Sequence, residues 1–287
     1  MLLQENNQSK AYNRSVLGGA RLVYASDSLG ATQLKEQWVR PPLHMSKAYM
    51  EHGWAISQLM SPTAGLLQGD LIEIDATVEA GAKAALISPA ACRVHTMENG
   101  CARIQQSYRL EEDAFLDLWP APLILQKDAS LKQETLVDIS SSSTLLLCEI
   151  VSPGRVTFGE LFSFSQWQSR LKIRRDGCLI AFENFSVDPS QGGAADWRQK
   201  SPTAIYASLY FVSPNPSTQL IEPIHSLDVE DAYIGASALR EGGIGIKVLA
   251  SDGVALRKAI SAVRSLLLSN VKITYPKALQ RAQTFFN

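Results

Sequence analysis

The sequence predicts a mainly β protein with a few helices, two of them near the C-terminus. Three observations carry that expectation. Apolar and polar residues alternate with period two in many short runs, Gly- and Asn/Asp-containing turn signals separate the runs, and the first ten runs follow one another with no helical stretch between them. Runs joined by such short turns favour mostly antiparallel pairing.

The clearest strand is 71–78, where Ile72, Ile74, Ala76 and Val78 share a face opposite Glu73, Asp75 and Thr77. The same alternation predicts strands at 54–59, 82–87, 102–110, 114–119, 135–139, 144–151, 161–167, 170–174 and 178–182, and later at 205–212 and 244–250. Asn99-Gly100 and Asp176-Gly177 are hairpin dipeptides, while 79–81, 111–113 and 140–143 are polar breaks. A helix is expected over 228–239. A second over 254–268 places Leu256, Ile260, Val263 and Leu267 on one stripe with Arg257, Lys258 and Arg264 elsewhere, and Ser251 or Asp252 caps its start. Pro276 opens a last short helix through Lys277, Leu279 and Gln283. The polar stretch 188–203 reads as a mobile loop, and residues 1–25 read as weakly ordered. No repeat or composition shift marks a boundary, so 1–287 is read as one domain.

At 46% hydrophobic and 19% charged residues, with a net charge of −1, the composition is that of an ordinary globular protein and argues against nucleic acid as the main partner. No window reaches the roughly 18 unbroken apolar residues needed to span a bilayer, and no basic start followed by an apolar stretch marks a secretory leader. A cytoplasmic protein without membrane contact is the expectation. Cys92, Cys101, Cys148 and Cys178 include no Cys-x-x-Cys pair, which argues against structural zinc and a disulfide framework. The chain has no phosphate-binding loop, no Gly-x-Ser-x-Gly and no His-x-x-x-His.

The chemistry that remains is carboxylate chemistry. Asp70 ends the doubly glycine-marked segment 62–70, and Glu160 ends the similar Gly154-Arg155-Val156-Thr157-Phe158-Gly159-Glu160. Glu149 interrupts the apolar run 144–151 and shares a strand face with Leu145, Leu147 and Val151, where a charge is costly without a partner. A buried ion pair, with Arg155 or Arg93, is the structural reading of such a group. Two of these acids 5 to 10 Å apart would serve a glycoside hydrolase, and a β scaffold without metal traffic is a third possibility.

Four blocks carry a resemblance: 62–70, 87–94 (Ile-Ser-Pro-Ala-Ala-Cys-Arg-Val), 119–124 (Trp-Pro-Ala-Pro-Leu-Ile) and 149–160. In order and spacing they resemble the motifs of the urease accessory proteins called UreD, or UreH, over about 30–268. The resemblance implies layered β-sheets wound into an elongated body. It implies a non-catalytic chaperone that joins a UreF-like partner, and through it a UreG-like GTPase, to apo-urease. It also implies an internal passage in which nickel is in transit with no tightly bound cofactor; Asp70, Glu149, Glu160 and Glu183 are the acids here that would line it. The chain departs from many relatives in carrying Arg93 and His95 in place of a Lys and a Tyr, and in lacking a tryptophan in its last long helix. His95 is a competent nickel ligand by type, but a lone histidine at a strand end is kept outside the main set. Apolar surface for partners is sought at 119–122 and around Trp197 and Phe211.

Overall fold

Alternating residues build most of the chain into strands. This computed structural model describes residues 15–191, 205–215, 217–271 and 273–282. Its strands are β1 (Leu17–Ser26), β2 (Thr32–Arg40), β3 (His44–Met45), β4 (Tyr49–Glu51), β5 (Trp54–Met60), β6 (Leu71–Val78), β7 (Lys83–Ile87), β8 (Cys92–Val94) and β9 (Ala102–Leu110). They continue as β10 (Phe115–Trp119), β11 (Leu123–Leu125), β12 (Ser130–Ile139), β13 (Thr144–Ser152), β14 (Gln166–Arg175), β15 (Cys178–Val187), β16 (Ile205–Val212), β17 (Ala232–Ala238) and β18 (Ile244–Ala250). Among the described residues three α-helices follow the same order: α1 (Ile221–His225), α2 (Gly253–Ser269) and α3 (Lys277–Ala282).

Two sheets stack face to face. The first runs β15-β14-β12-β9-β6-β1-β2; the second runs β17-β18-β16-β13-β10-β7-β5-β3, with β4, β8 and β11 attached. From β5 onward the chain steps between them, so β5, β7, β10 and β13 lie in the second sheet while β6, β9, β12 and β14 lie in the first. Each return to a sheet therefore runs the same way as the last visit, and the pairs β6·β9, β9·β12, β12·β14, β5·β7, β7·β10 and β10·β13 are all parallel. The antiparallel expectation holds only at the margins, in β1·β2, β3·β5, β4·β5, β14·β15, β13·β16, β16·β18 and β17·β18. Short turns reverse the chain, but in this wound arrangement they carry it to the facing sheet instead of to a hydrogen-bonded neighbour. Asp176-Gly177 does close a hairpin, β14·β15, whereas Asn99-Gly100 leads from β8, in the second sheet, to β9 in the first.

The second sheet is covered on both sides, which explains the near-continuous apolar run of β13. Leu145 and Leu147 pack toward the first sheet, while Leu146, Cys148 and Ile150 pack toward the helical layer. α2 supplies that layer with Leu256, Ile260, Val263 and Leu267, and Asp252 caps it by accepting from the backbone N–H groups of Val254 and Ala255 at 2.8 Å each. Arg264, expected outside this stripe, lies on it and is 1% exposed, paired with Asp117 of β10. Position 264 is four residues beyond Ile260, so helix geometry puts it inward and an acid opposite accommodates the charge.

Other expectations are corrected. The 228–239 helix is the edge strand β17, with Ile234 and Ala236 packed toward the helical layer and Tyr233 67% exposed, a period-two pattern. β14 begins at Gln166 and runs unbroken through the expected gap at 168–169, while 161–165 form bends that bury Phe162 and Phe164. Within the first 25 residues, β1 is a full strand burying Ala20, Leu22 and Tyr24. Of the expected loop 188–203, Pro189–Gln191 form a short 3-10 turn and 192–203 lie outside the described residues. The final helix is capped by Glu51, whose carboxylate accepts from the N–H groups of Lys277 and Ala278; Gln283 lies outside the described residues.

Candidate functional site

The two glycine-marked acids organise their own loops. Asp70 is 4% exposed; its Oδ1 accepts from Val16 N and its Oδ2 from Leu67 N, each at 2.8 Å. That fastens the start of β1 to the turn before β6. Gly65, at φ +134°, lets this turn lie against β8, where Leu66 N donates to Arg93 O at 2.8 Å and His95 N to Leu66 O at 3.0 Å. A Cβ on Gly65 would stand 2.2 Å from Arg93 O. Gly65→Ala is expected to lower the thermal midpoint by several degrees, since such backbone strain costs about 1–3 kcal/mol. A melting curve followed by circular dichroism that overlays the wild type contradicts this account of the turn.

Glu160 forms a two-pronged ion pair with Arg155, one prong being Arg155 Nε to Glu160 Oε2 at 2.7 Å. The hydrogen bonds from Arg155 hold the Glu160 carboxyl below its ordinary range. His95 Nε2 lies 2.9 Å from Ala64 O, an ordinary hydrogen bond.

Glu149 and Glu183 are different, because the fold brings them together. Both line a cavity of about 20 Å³ between the sheets, with Gln133, Ser169, Phe185, Tyr206 and Ser208; neither Asp70 nor Glu160 lines it. That is room for about one water-sized particle. Gln133, Leu123, Pro120 and Ala121 also line an adjoining cavity of about 90 Å³ that reaches back to Tyr108 and Cys92.

A seam of polar side chains runs through this interior. Tyr108 Oη donates to Gln106 Oε1 at 2.9 Å, Gln106 Nε2 donates to Thr135 Oγ1 at 3.1 Å, and Thr135 Oγ1 donates to Glu149 Oε1 at 2.8 Å. Gln133 Nε2 donates to the same Glu149 oxygen at 2.8 Å. Gln106, Gln133 and Thr135 are each 5% exposed or less, and the Gln133 carbonyl oxygen is buried without a hydrogen-bond partner among the described residues. At the far end Glu183 pairs with Lys247 of β18, which also donates to Ser208 Oγ and, at 3.0 Å, to Tyr210 Oη.

The electrostatics follow from this placement. Burial pushes the Glu149 carboxyl up from its ordinary range, and the neighbouring Glu183 charge adds to this; the bond from Thr135, the Lys247 charge and the bond from Gln133 oppose it. Burial pulls the Lys247 ammonium down, against the bond from Glu183. Burial also pushes the Cys92 thiol up to about 11, so it stays protonated and is a poor metal ligand at neutral pH. Among the described residues, no group of three or more His, Cys, Asp and Glu side chains is placed to hold a metal ion.

Sequence reasoning missed most of the seam. Gln133 and Thr135 occupy inward positions of β12 between Leu131 and Val137, and Gln106 does the same in β9. Polar residues in the apolar half of a period-two strand were the available signal. Of the apolar surface sought for partners, Phe211 is fully buried and Trp119 is 7% exposed, while Trp197 lies outside the described residues. No helix among the described residues is long and apolar enough to cross a membrane.

Fold and seam define a class: a wound two-sheet β framework with one helical layer, carrying ionisable groups inside but, among the described residues, no closed metal cage. The profile of the UreD urease accessory proteins matches residues 17–282, wider at both ends than the motif blocks indicated, and the chain belongs to that family. A urease accessory protein UreD from Opitutus terrae is 31% identical over 257 residues, covering 87% of this chain and 93% of that one. One of the same name from Haemophilus influenzae is 30% identical over 258 residues, covering 84% and 95%. Urease accessory protein UreH from Helicobacter hepaticus is 35% identical over 162 residues, covering 56% and 64%.

Proposed function

We propose that this urease accessory protein is a cytoplasmic, non-catalytic nickel-insertion chaperone that links apo-urease to UreF-like and UreG-like partners and passes nickel along its interior seam. The observation that carries the reading is the placement of Glu149 and Glu183 on one small cavity between the sheets. Two carboxylates with amide and hydroxyl oxygens nearby are a weak site for nickel, and no third strong ligand joins them among the described residues. Weakness suits transit. At an association rate of about 10⁶ per molar per second, a micromolar site releases its ion in roughly a second, whereas a picomolar one holds it for on the order of days. The cavity size also favours an ion over a sugar ring. Asp70 and Glu160 contribute by holding the loops at 62–70 and 149–160.

Cells that carry the other urease genes but lack this one are expected to make inactive urease, with excess nickel in the medium as the control. The tagged chain is expected to co-purify with a UreF-like protein from cells that express both. Full urease activity in the deletion strain contradicts the accessory role.

A further inference from the structure

The seam already holds a cation. Lys247 reaches in from β18 of the second sheet and meets Glu183 from β15, the edge strand of the first, closing the open side of the sandwich. On β18, Ile244, Ile246 and Val248 face the helical layer, so the opposite face, which Lys247 occupies, turns toward the first sheet. The surroundings suit a positive charge. Rings of Tyr210, Tyr206 and Phe185 have their centroids 4.9, 5.6 and 5.8 Å from the Lys247 nitrogen, and Ser208 and Tyr210 offer oxygens. This is a cation receptor filled by a tethered occupant.

A divalent ion on Glu183 and the Lys247 ammonium on Glu183 compete for one carboxylate. Lysine is suited to yield. Its charge is a point at the end of a flexible four-carbon stem, without the two-pronged grip of arginine, and its side chain is 36% exposed with a route outward. We infer that Lys247 is a latch: an entering divalent cation displaces it from Glu183, and its return drives the ion onward. The inference rests on the passage reading above and adds what keeps the passage from becoming a trap. With Lys247 in place the two acids are half neutralised; without it they present an unopposed double negative charge beside Gln133, Tyr206 and Ser208.

The test is equilibrium dialysis of the purified full-length chain against Ni²⁺ alone. Lys247→Met is expected to bind Ni²⁺ about tenfold more tightly than wild type or better, the order of effect that removing a competing charge at contact distance produces. Lys247→Arg, which keeps the charge, is expected to stay near wild type, and Lys247→Met/Glu183→Gln to lose the gain. If the methionine variant does not fold, Lys247→Gln keeps a donor for Glu183 and is expected to tighten binding in the same direction. Unchanged or weaker binding in the folded single variant overturns the latch and leaves a structural ion pair between sheets; so does tightening that survives Glu183→Gln. Normal urease activation by Glu149→Gln removes the passage reading instead, so the two failures are told apart.

Discussion

Replacing Arg264 with methionine is expected to lower the stability of the chain by about 3–5 kcal/mol, because breaking a buried ion pair from one side leaves the other charge unpaired. Arg264 donates from Nη1 to Asp117 Oδ1 at 3.0 Å and from Nη2 to Asp117 Oδ2 at 2.7 Å, with Asp117 fully buried. Tyr275 accepts from Arg264 at 2.5 Å and donates to Asp117, and Trp119 stacks under the guanidinium 4.3 Å away while its Nε1–H bonds Asp117 at 2.9 Å. The cluster fastens α2 and the approach to α3 onto β10. Burial works most strongly against the Arg264 charge, but the Asp117 charge, Tyr275 and the hydrogen bonds to Asp117 together outweigh it, so the guanidinium is held above its ordinary range. The loss corresponds to a thermal midpoint lower by on the order of ten degrees. Asp117→Leu/Arg264→Met, which removes both charges, is expected to recover most of it. A single variant that melts with the wild type contradicts this account of the helical layer.

Glu149→Gln is expected to reduce urease activation about tenfold or more while leaving the fold intact, since it removes one of two charges from the proposed path. Glutamine keeps the shape, and its carbonyl oxygen still accepts from Thr135 and Gln133. Because burial disfavours the Glu149 charge, removing it does not destabilise the strand, and the thermal midpoint is expected to match or exceed the wild type. A drop in activation with unchanged stability therefore reads function and not folding. Glu134→Gln, on the exposed side of β12 in the facing sheet, is the matched control and is expected to activate normally.

Local patterns made the strands legible and left their pairing hidden. The alternation in β6 and the apolar run of β13 name their own secondary structure, but the turn at 79–81 looks the same whether the next strand pairs with its predecessor or crosses to the facing sheet. Two such crossings per coil produce parallel sheets that pairwise reading cannot see. Glu149 was legible because a charge inside an apolar strand demands a partner. Asp117 sent the same signal from the middle of Phe115-Leu116-Asp117-Leu118-Trp119, and its partner sat 147 residues away on a helix. Lys247 sent none, since a lysine between Ile246 and Val248 reads as solvent-facing until an edge strand of the other sheet lies opposite. Asp70 and Glu160 show the converse. A carboxylate beside glycines marks a demanding turn, and here those carboxylates meet the turn's own N–H groups or arginine.

The most direct measurement is the nickel content of urease purified from cells that express the other urease genes with either the wild-type chain or Glu149→Gln, under limiting nickel. The account predicts about a tenfold lower nickel load with the variant, at equal levels of the chain and of its UreF-like partner. Urease carrying the same nickel in both strains would mean that the ion reaches its destination without the interior carboxylates.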